Sequence, residues 1–454
     1  MRAEPIRIAL ISIFLFLLYA VSLHPAQDNR SRVHRYLKRY RLIEMDSAAV
    51  ARRVRTTGRF SLPTDDGEFD ISLVPNDVRA PRYRAEEVSA DGLTRPVVPE
   101  AIRTFRGTVS GIHGSEARFS IRDDGMEGIV ITPDHWYLME PASHYDPTAA
   151  PTEMVVYRAA DIEPGAFGTC AASLAEQISN QVFKVQQSLT PPILEASSLS
   201  IADVATEADY EYVTALGGSA GANNTILDVM NQVDGIYRTQ LSISLRVVYQ
   251  HTWNAVDDPY TSTVPATMLT EFRNHWTANY DSIPFDLAHM WTGKDMDGST
   301  IGIAYLGVTC NARSYSFGIS QRMSSSPGKY ILTAHEIGHN FGASHTETAQ
   351  PPQTDCSNTI MNSSVGTGTA FCPYSKTEVS PHVSQYSSCL ASQSVRCDIN
   401  SDGSVNALDL QSLANTILGI AACPNVCDSN NDGSVNALDI QLQANIVLGT
   451  ASCP

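Results

Sequence analysis

Basic residues run out after the first third of this 454-residue chain. Of its 31 Lys and Arg, 21 fall in residues 1–160, where 21 Asp and Glu balance them; the rest carries 10 basic against 27 acidic side chains and holds the whole formal charge of −17. A region so short of cations argues against nucleic acid and anionic membranes as partners. Long apolar runs are also scarce. Ile8 to Leu23 is a run of 16 residues, short of the ~20 that a membrane-spanning helix needs. With Arg2 and Arg7 ahead of it and the small residues Ala20-Val21-Ser22 at its end, it reads as a secretory signal over residues 1–23. No later stretch is long and apolar enough to cross a membrane, so the mature protein is expected to be soluble and secreted. Cysteine is almost missing from the first 300 residues, which hold one of the nine, Cys170. The clustering of the other eight suggests disulfides and an oxidising compartment. With 43% hydrophobic residues the composition is globular, and the length calls for two to four domains.

The most informative stretch is HEIGHNFGASH, His335 to His345. On a helix His335 and His339 lie one turn apart on one face. Two neutral imidazoles so placed can hold a zinc ion, and Glu336 between them can act as a base on a water held there. Gly342 permits a backbone turn that returns His345 as a third ligand. Three protein ligands leave one position open, as in a catalytic and not a structural zinc site. A bare HExxH arises by chance in roughly one chain in a hundred of this length, and the added Gly and His make chance far rarer.

These residues resemble the metzincin zinc endopeptidases, and HEIGHNFG is most similar to the reprolysins, the ADAM and snake-venom branch. The resemblance implies a Met-turn beneath the zinc, met by Met361 in Thr359-Ile360-Met361-Asn362. Many reprolysins carry Asp after the third His; Thr346 stands here, which leaves the ligands intact and puts a supporting contact in doubt. The resemblance further implies an α/β metzincin fold, a mixed twisted sheet with helices and the zinc on the active-site helix. It pairs Cys310 with Cys389. It also maps a structural calcium site onto Glu211, Asp286 and the Cys389 backbone. Cys356 and Cys372 bracket the Met-turn and would staple it.

The pattern over residues 205–392 suits that fold. Tyr210–Ala215 reads as a strand. Asn224-Thr225 caps a helix with Ile226, Met230, Val233 and Tyr237 on its apolar face. Leu241 to Tyr249 alternates as a half-buried strand. Pro265 opens a helix through Trp276. Leu287–Trp291 and Ile301–Leu306 are strands with an Asp297-Gly298 turn between them. The second is an edge to which an extended peptide substrate would add. Before this domain, Phe69–Val74, Arg103–Val109 and Ala117–Ile121 alternate, and Gly128–Thr132 is a short apolar run. Residues 24–170 are therefore a β-rich domain after an Arg-rich, helix-compatible start. The stretch Thr104–Ile121 and the GIVITPDHWYLMEP that follows resemble reprolysin propeptides. Residues 171–204, polar and small with Pro191-Pro192, read as a helix plus linker.

Residues 397–454 repeat. CDINSDGSVNALDLQSLANTILGIAACP starts at Cys397 and CDSNNDGSVNALDIQLQANIVLGTASCP at Cys427. Oxygen-bearing side chains stand at loop positions 1, 3, 5, 9 and 12 with Gly at 6, a spacing that wraps a calcium ion. The expected ligands are Asp398, Asn400, Asp402, Asn406 and Asp409, then Asp428, Asn430, Asp432, Asn436 and Asp439, with the carbonyls of Ser404 and Ser434. One helix per loop, with Asp at position 12, resembles the type I dockerins, which implies a cohesin-type scaffold partner. A calcium-stabilised cap is the other reading, since apolar Ala407-Leu408 and Ala437-Leu438 take the usual recognition positions. Pairing within each copy, Cys397–Cys423 and Cys427–Cys453, is symmetric, though three connectivities are open.

The leading expectation is thus a secreted zinc endopeptidase made as a zymogen, with one catalytic zinc, two calcium ions in the tail and a third in the catalytic domain on the mapped site. Cys170, the odd cysteine, lies before the catalytic domain in a Pro/Gly loop, and its thiolate would take the open zinc position. The rival is a calcium-dependent adhesion or docking protein with a decayed protease domain. Such decay usually removes the Glu or a His, and all four motif residues are present.

Overall fold

The computed structural model describes residues 32–163, 165, 167–171, 198–349, 353–365, 368–386 and 389–394 and, in the tail, 397–400, 405–423, 427–430, 432–448, 450, 451 and 453. The signal segment, most of the expected linker helix, Asp402 and Ser404 lie outside the described residues.

In chain order the first part forms β1 (Arg41–Glu44), α1 (Ser47–Thr57), β2 (Arg59–Thr64), β3 (Gly67–Pro75), β4 (Arg79–Val88), β5 (Thr94–Pro96) and β6 (Thr104–Val109). It continues with β7 (Glu116–Ile121), β8 (Met126–Ile131), β9 (Trp136–Pro141), β10 (Glu153–Arg158) and β11 (Gly168–Cys170). The middle part holds β12 (Ser198–Ala208), α2 (Tyr210–Ala215), α3 (Ser219–Leu241), β13 (Ile243–Trp253), α4 (Pro265–Asn279), β14 (Leu287–Thr292) and β15 (Thr300–Ala304). Next come β16 (Phe317–Gln321), α5 (Ser326–Asn340), β17 (Ser364–Val365), α6 (Pro373–Tyr386) and β18 (Ala391–Ser394), then α7 (Ala407–Ile417) and α8 (Ala437–Val447) in the tail.

Two sheets organise these elements. One is antiparallel throughout, in the order β1-β10-β9-β8-β7-β6-β3-β2. Strand β3 alternates as the sequence does, with Phe69, Ile71 and Leu73 buried and the residues between them facing outward, whereas β8 is buried throughout. The other is mixed, in the order β17-β11-β15-β16-β14-β12-β13-β4-β5, with β18 beside the start of β12. Strands β4, β5 and β11, all from the first 170 residues, thus sit at its two edges. One apolar cluster runs across both parts, from Ile129, Leu138 and Val155 to Ile226, Met230, Val233 and Ile337. A second lies under α1, and a third packs α4 on the far face of the mixed sheet through Phe272, Trp276 and Phe317.

Several elements depart from the sequence reading. Tyr210–Ala215 is helix α2 and not a strand; the Asp209 side chain caps it, accepting from Tyr212 N at 2.8 Å. The strand precedes it, as β12, in the stretch read as linker. β12 is parallel to both β13 and β14 and covered on both faces, so it carries small Ala202, Val204, Ala205 and Ala208 in place of an alternating pattern. Strand β16 was not expected at all. Helix α3 starts at Ser219, five residues ahead of the Asn224 cap, after Gly217 and Gly218 at positive φ.

The tail pairs its cysteines otherwise than the symmetric scheme. Disulfides join Cys397 to Cys453 and Cys423 to Cys427. The two loop–helix copies pack against each other through Leu413, Ile417, Ile440 and Ile399, and Gln443 Nε2 donates to Cys397 O at 2.6 Å. That packing sets the start of the first copy beside the end of the second, so the bridge closes between copies.

Candidate metal centre

The site is built on the last turns of α5. Ser325 precedes it, Pro327 stands in its first turn, and it ends at Phe341 followed by Gly342 at φ +95°, the turn the spacing calls for. His335, Glu336 and His339 are fully buried and His345 is 2% exposed. His335 Nδ1 meets Ile360 O at 2.6 Å and His339 Nδ1 meets Ala343 O at 2.7 Å. Both Nδ1 atoms therefore carry the proton, and both Nε2 lone pairs turn inward. The His335 Nε2 atom lies 3.1 Å from that of His345 and 3.0 Å from that of His339. Converging lone pairs at that spacing repel unless a cation lies between them, and two imidazoles on a tetrahedral zinc stand about 3.3 Å apart. The donor set fits zinc. Burial lowers His335 to about 3 and His345 to about 4 and takes His339 well below its ordinary range, so all three rings are neutral.

Cys170 completes the cluster. Its Sγ is 3.6 Å from His339 Nε2 and 3.5 Å from Glu336 Oε2, and Cys170, His335, His339 and His345 offer ligand atoms all within 4.8 Å of one another. It lies outside the four disulfides. Strand β11 brings it there. Thr169 N donates to Ser299 O at 2.9 Å, Ala171 N to Gly302 O at 3.1 Å, and Cys170 N to Ser363 O at 2.9 Å. β11 is thus paired in parallel with β15, the strand expected to lie at the edge, and antiparallel with β17.

Two glycines shape the floor. A Cβ at Gly302 would lie 2.2 Å from Glu336 Oε1, and one at Gly338 would lie 2.7 Å from Met361 Sδ. The first lets the Glu336 carboxyl stand against β15; the second lets the methionine turn close under the helix. Burial raises Glu336 well above the ordinary carboxylate range, which Cys170 partly offsets. Its Oε1 has no hydrogen-bond partner among the described residues.

The contact put in doubt by Thr346 is made by its neighbour. Glu347 Oε1 accepts from Ser363 N at 2.6 Å and from the Ser363 hydroxyl, and Glu347 Oε2 accepts from Asn362 Nδ2 at 3.2 Å. Burial would raise this carboxyl, but the Ser363 hydrogen bonds outweigh it and bring it to about 2. Thr346 Oγ1 accepts from Asn362 Nδ2 at 2.6 Å. The loop of the third His is therefore tied to the Met361 turn one residue later than the family pattern. Nothing in the motif marks Glu347; the signal available was an acid beside the position where one was missing.

The structure pairs Cys310 with Cys389 and Cys356 with Cys372. It does not bring Glu211 and Asp286 together, so the calcium site expected from them with Cys389 is not formed. Asp286 adjoins Asp203 at one end of β14, its Oδ2 accepting Asp203 N at 2.7 Å, while the Arg246 guanidinium pairs with Asp203. Glu211 lies past the other end, bound by the Lys294 ammonium. The register of β12 and β14 puts the two more than about 15 Å apart.

In the tail, Asp428 accepts from Asp432 N and Gly433 N at 3.1 and 2.9 Å, and Asn430 Oδ1 accepts from Asp432 N at 2.9 Å. The loop curls around its own acidic side chains. Asp439 Oδ1 accepts from Asn430 N at 3.0 Å and its Oδ2 from Asn436 N at 2.8 Å; Asp409 does the same for Asn400 and Asn406 at 3.0 and 2.7 Å. Asn406 and Asn436 cap α7 and α8, each Oδ1 accepting from a leucine N–H two residues on.

Residues 198–376 match the reprolysin-type model described as metallo-peptidase family M12. Residues 396–448 match the dockerin type I domain. The reprolysin segment is similar to the zinc metalloproteinase-disintegrin-like brevilysin H2a of Gloydius brevicauda, 33% identical over 139 residues, 30% of this chain and 32% of that protein. Disintegrin and metalloproteinase domain-containing protein 19 of Mus musculus is 27% identical over 291 residues, 61% of this chain and 30% of that protein. The chain spans about a third of the length of these relatives. No described helix is long and apolar enough to cross a membrane.

Proposed function

We propose that the protein is a secreted zinc endopeptidase made as an inactive precursor. Residues 1–23 act as the signal, 24–170 as the propeptide, 171–197 as the linker, 198–392 as the catalytic domain, which takes in β12, and 397–454 as a calcium-binding, dockerin-like tail. The observation that carries this reading is the convergence of three inward-facing imidazole nitrogens, the Glu336 carboxyl and the Cys170 thiol on one buried point.

His335, His339 and His345 would hold one zinc, which supplies Lewis acidity toward the scissile carbonyl and a lowered pKa for an attacking water. Glu336 takes a proton from that water as its oxygen bonds to the carbonyl carbon, and returns a proton to the amine as the C–N bond breaks. The backbone of β15 offers hydrogen bonds to an extended substrate. In the precursor β11 lies along β15 where that substrate would add, and the Cys170 thiol, beside His339 and Glu336, would serve as a further ligand to the metal and keep water from Glu336. Asp398, Asn400, Asp402, Ser404, Asn406 and Asp409, and their counterparts Asp428, Asn430, Asp432, Ser434, Asn436 and Asp439, would form two calcium loops. A cohesin-type scaffold or surface protein is the partner a dockerin-like tail suits. Zinc stoichiometry together with Glu336→Gln tests the reading: the variant should keep one zinc and lose at least about a thousandfold in peptide hydrolysis. A variant that hydrolyses peptides at the unmodified rate overturns it.

A further inference from the structure

The start of α5, about 9 Å along the helix from His335, borders a second polar site. A cavity of about 230 Å³ opens there. Its wall takes Tyr212 from α2, Trp291 from β14, Arg322 from the loop after β16, Lys329 from α5, and Arg122 and Glu127 from the first part of the chain. This wall is short of acceptors. Glu127, its only acid among the described residues, is already engaged. Its Oε2 accepts from the Ser326 hydroxyl and from Lys329 Nζ, both at 2.7 Å, and its Oε1 from Lys329 Nζ at 2.9 Å. Gln321 is engaged at both ends, Oε1 accepting from Met296 N at 2.9 Å and Nε2 donating to Asp295 Oδ1 at 3.0 Å.

Donors, by contrast, are left over. The Trp291 indole N–H is buried and has no hydrogen-bond partner among the described residues. Tyr212 is 2% exposed, and its hydroxyl makes no hydrogen bond among them. Burial holds that hydroxyl well above its ordinary range, so it stays protonated and able to donate. Arg322 is exposed and pairs with no carboxylate among the described residues. Arg122 is divided between Asp228 at 2.9 Å and the exposed Asp124 at 3.2 Å, and Asp228 is shared with Arg103. Water can meet these donors, but each water brings two donors of its own and no charge. An oxyanion brings acceptors, and it also meets the Arg322 guanidinium. The volume holds a four-oxygen ion with a few waters, at about 30 Å³ per water. Leaving buried N–H and O–H groups unbonded is costly, which favours a ligand that bonds both.

We infer that this cavity is a binding site for a small divalent oxyanion of the sulfate or phosphate type, held by Arg322, the Tyr212 hydroxyl and the Trp291 N–H, with Lys329 and Arg122 adding positive charge. The region after residue 160 is acidic as a whole, yet two of its ten basic side chains, Arg322 and Lys329, meet Arg122 here. Sulfate carries no proton at neutral pH, whereas singly protonated phosphate brings a donor to a wall without a free acceptor. Sulfate therefore binds at least as tightly as phosphate. No residue of the metal centre takes part.

Equilibrium dialysis of the full precursor against radiolabelled inorganic sulfate, at fixed ionic strength in chloride, tests this. About one sulfate per chain should bind, with Kd ~1 mM or tighter. Unlabelled phosphate should displace it, no more tightly than sulfate itself. Arg322→Gln should weaken binding at least about tenfold, as expected for a lost charge-assisted hydrogen bond. Trp291→Phe keeps an aromatic ring, removes the N–H and should weaken binding about threefold or more. Arg322 is exposed, so its replacement spares the fold, and a melting curve checks Trp291→Phe. Absence of saturable sulfate binding up to about ten times the expected Kd overturns the site. Binding unchanged in Arg322→Gln overturns its placement in this cavity, and binding that then disappears when zinc is removed would put the ion at the metal centre instead.

Discussion

Gly302→Ala is a small change aimed at one atom. Gly302 has no positive φ, so alanine costs nothing in the backbone. Its Cβ would meet Glu336 Oε1 at 2.2 Å, Leu332 Cδ1 at 2.7 Å and Glu336 Cδ at 2.8 Å, where real Cβ contacts begin near 3.0–3.4 Å. Neither neighbour is the free end of a surface chain, for Glu336 and Leu332 are fully buried. The carboxyl must therefore retreat by about 1 Å, a displacement that can cost about a hundredfold in rate, or ~2.7 kcal/mol of barrier. Overpacking costs a further ~1–3 kcal/mol of stability. The histidines are not among the atoms displaced, so zinc content should hold. The assay is kcat/KM on a quenched peptide after propeptide removal, beside zinc by mass spectrometry and a melting curve. Activity within about threefold of the unmodified enzyme, with zinc bound, would refute the claim that the Glu336 position limits the rate.

Cys170→Ala should give a precursor that cleaves peptides before propeptide removal, and X-ray absorption of the unmodified precursor should show one sulfur at zinc; a silent variant with no Zn–S signal would leave blockage to β11 alone. Residues 397–453 alone should bind two calcium ions by calorimetry and resist proteolysis only with calcium, and no heat of binding would sink that assignment. Glu347→Gln should weaken zinc retention about tenfold or more in chelator competition, since it unties the His345 loop from the Met361 turn; unchanged retention would show that Thr346 suffices. Acid should loosen the propeptide. Burial works to raise Glu127, but the Lys329 ammonium and His144 outweigh it and bring it to about 2. A carboxyl lowered on folding stabilises above its ordinary value, 4.5, and loses that contribution as pH falls toward 2. The melting temperature of the precursor should fall across that window, and Glu127→Gln should flatten the fall.

What could be read from the sequence was local. The three histidines, Glu336, Gly342 and Met361 stand at offsets set by one helix, one turn and one return loop, so spacing alone brings them together. Strand β3 was legible because one of its faces is wet. Strand β12 was not, because a strand flanked by parallel neighbours and covered on both faces has no reason to alternate. Gly302 and Gly338 carry no mark either: their need for a missing side chain arises from Glu336 and Met361, which arrive from elsewhere in the chain. The tail disulfides failed for a related reason. Symmetry of the two copies favours bridges within each, but packing one copy against the other makes Cys397 and Cys453 neighbours. The sign of the ion pairs was visible in the charge split between the halves. A neutral first part that still holds 21 basic side chains has some to spend on a partner, and the acidic remainder is where that partner lies. Arg103, Arg118 and Arg122 reach across to Asp228 and Asp234, so the imbalance noted at the outset reflects an interface inside the molecule as well as a surface outside it.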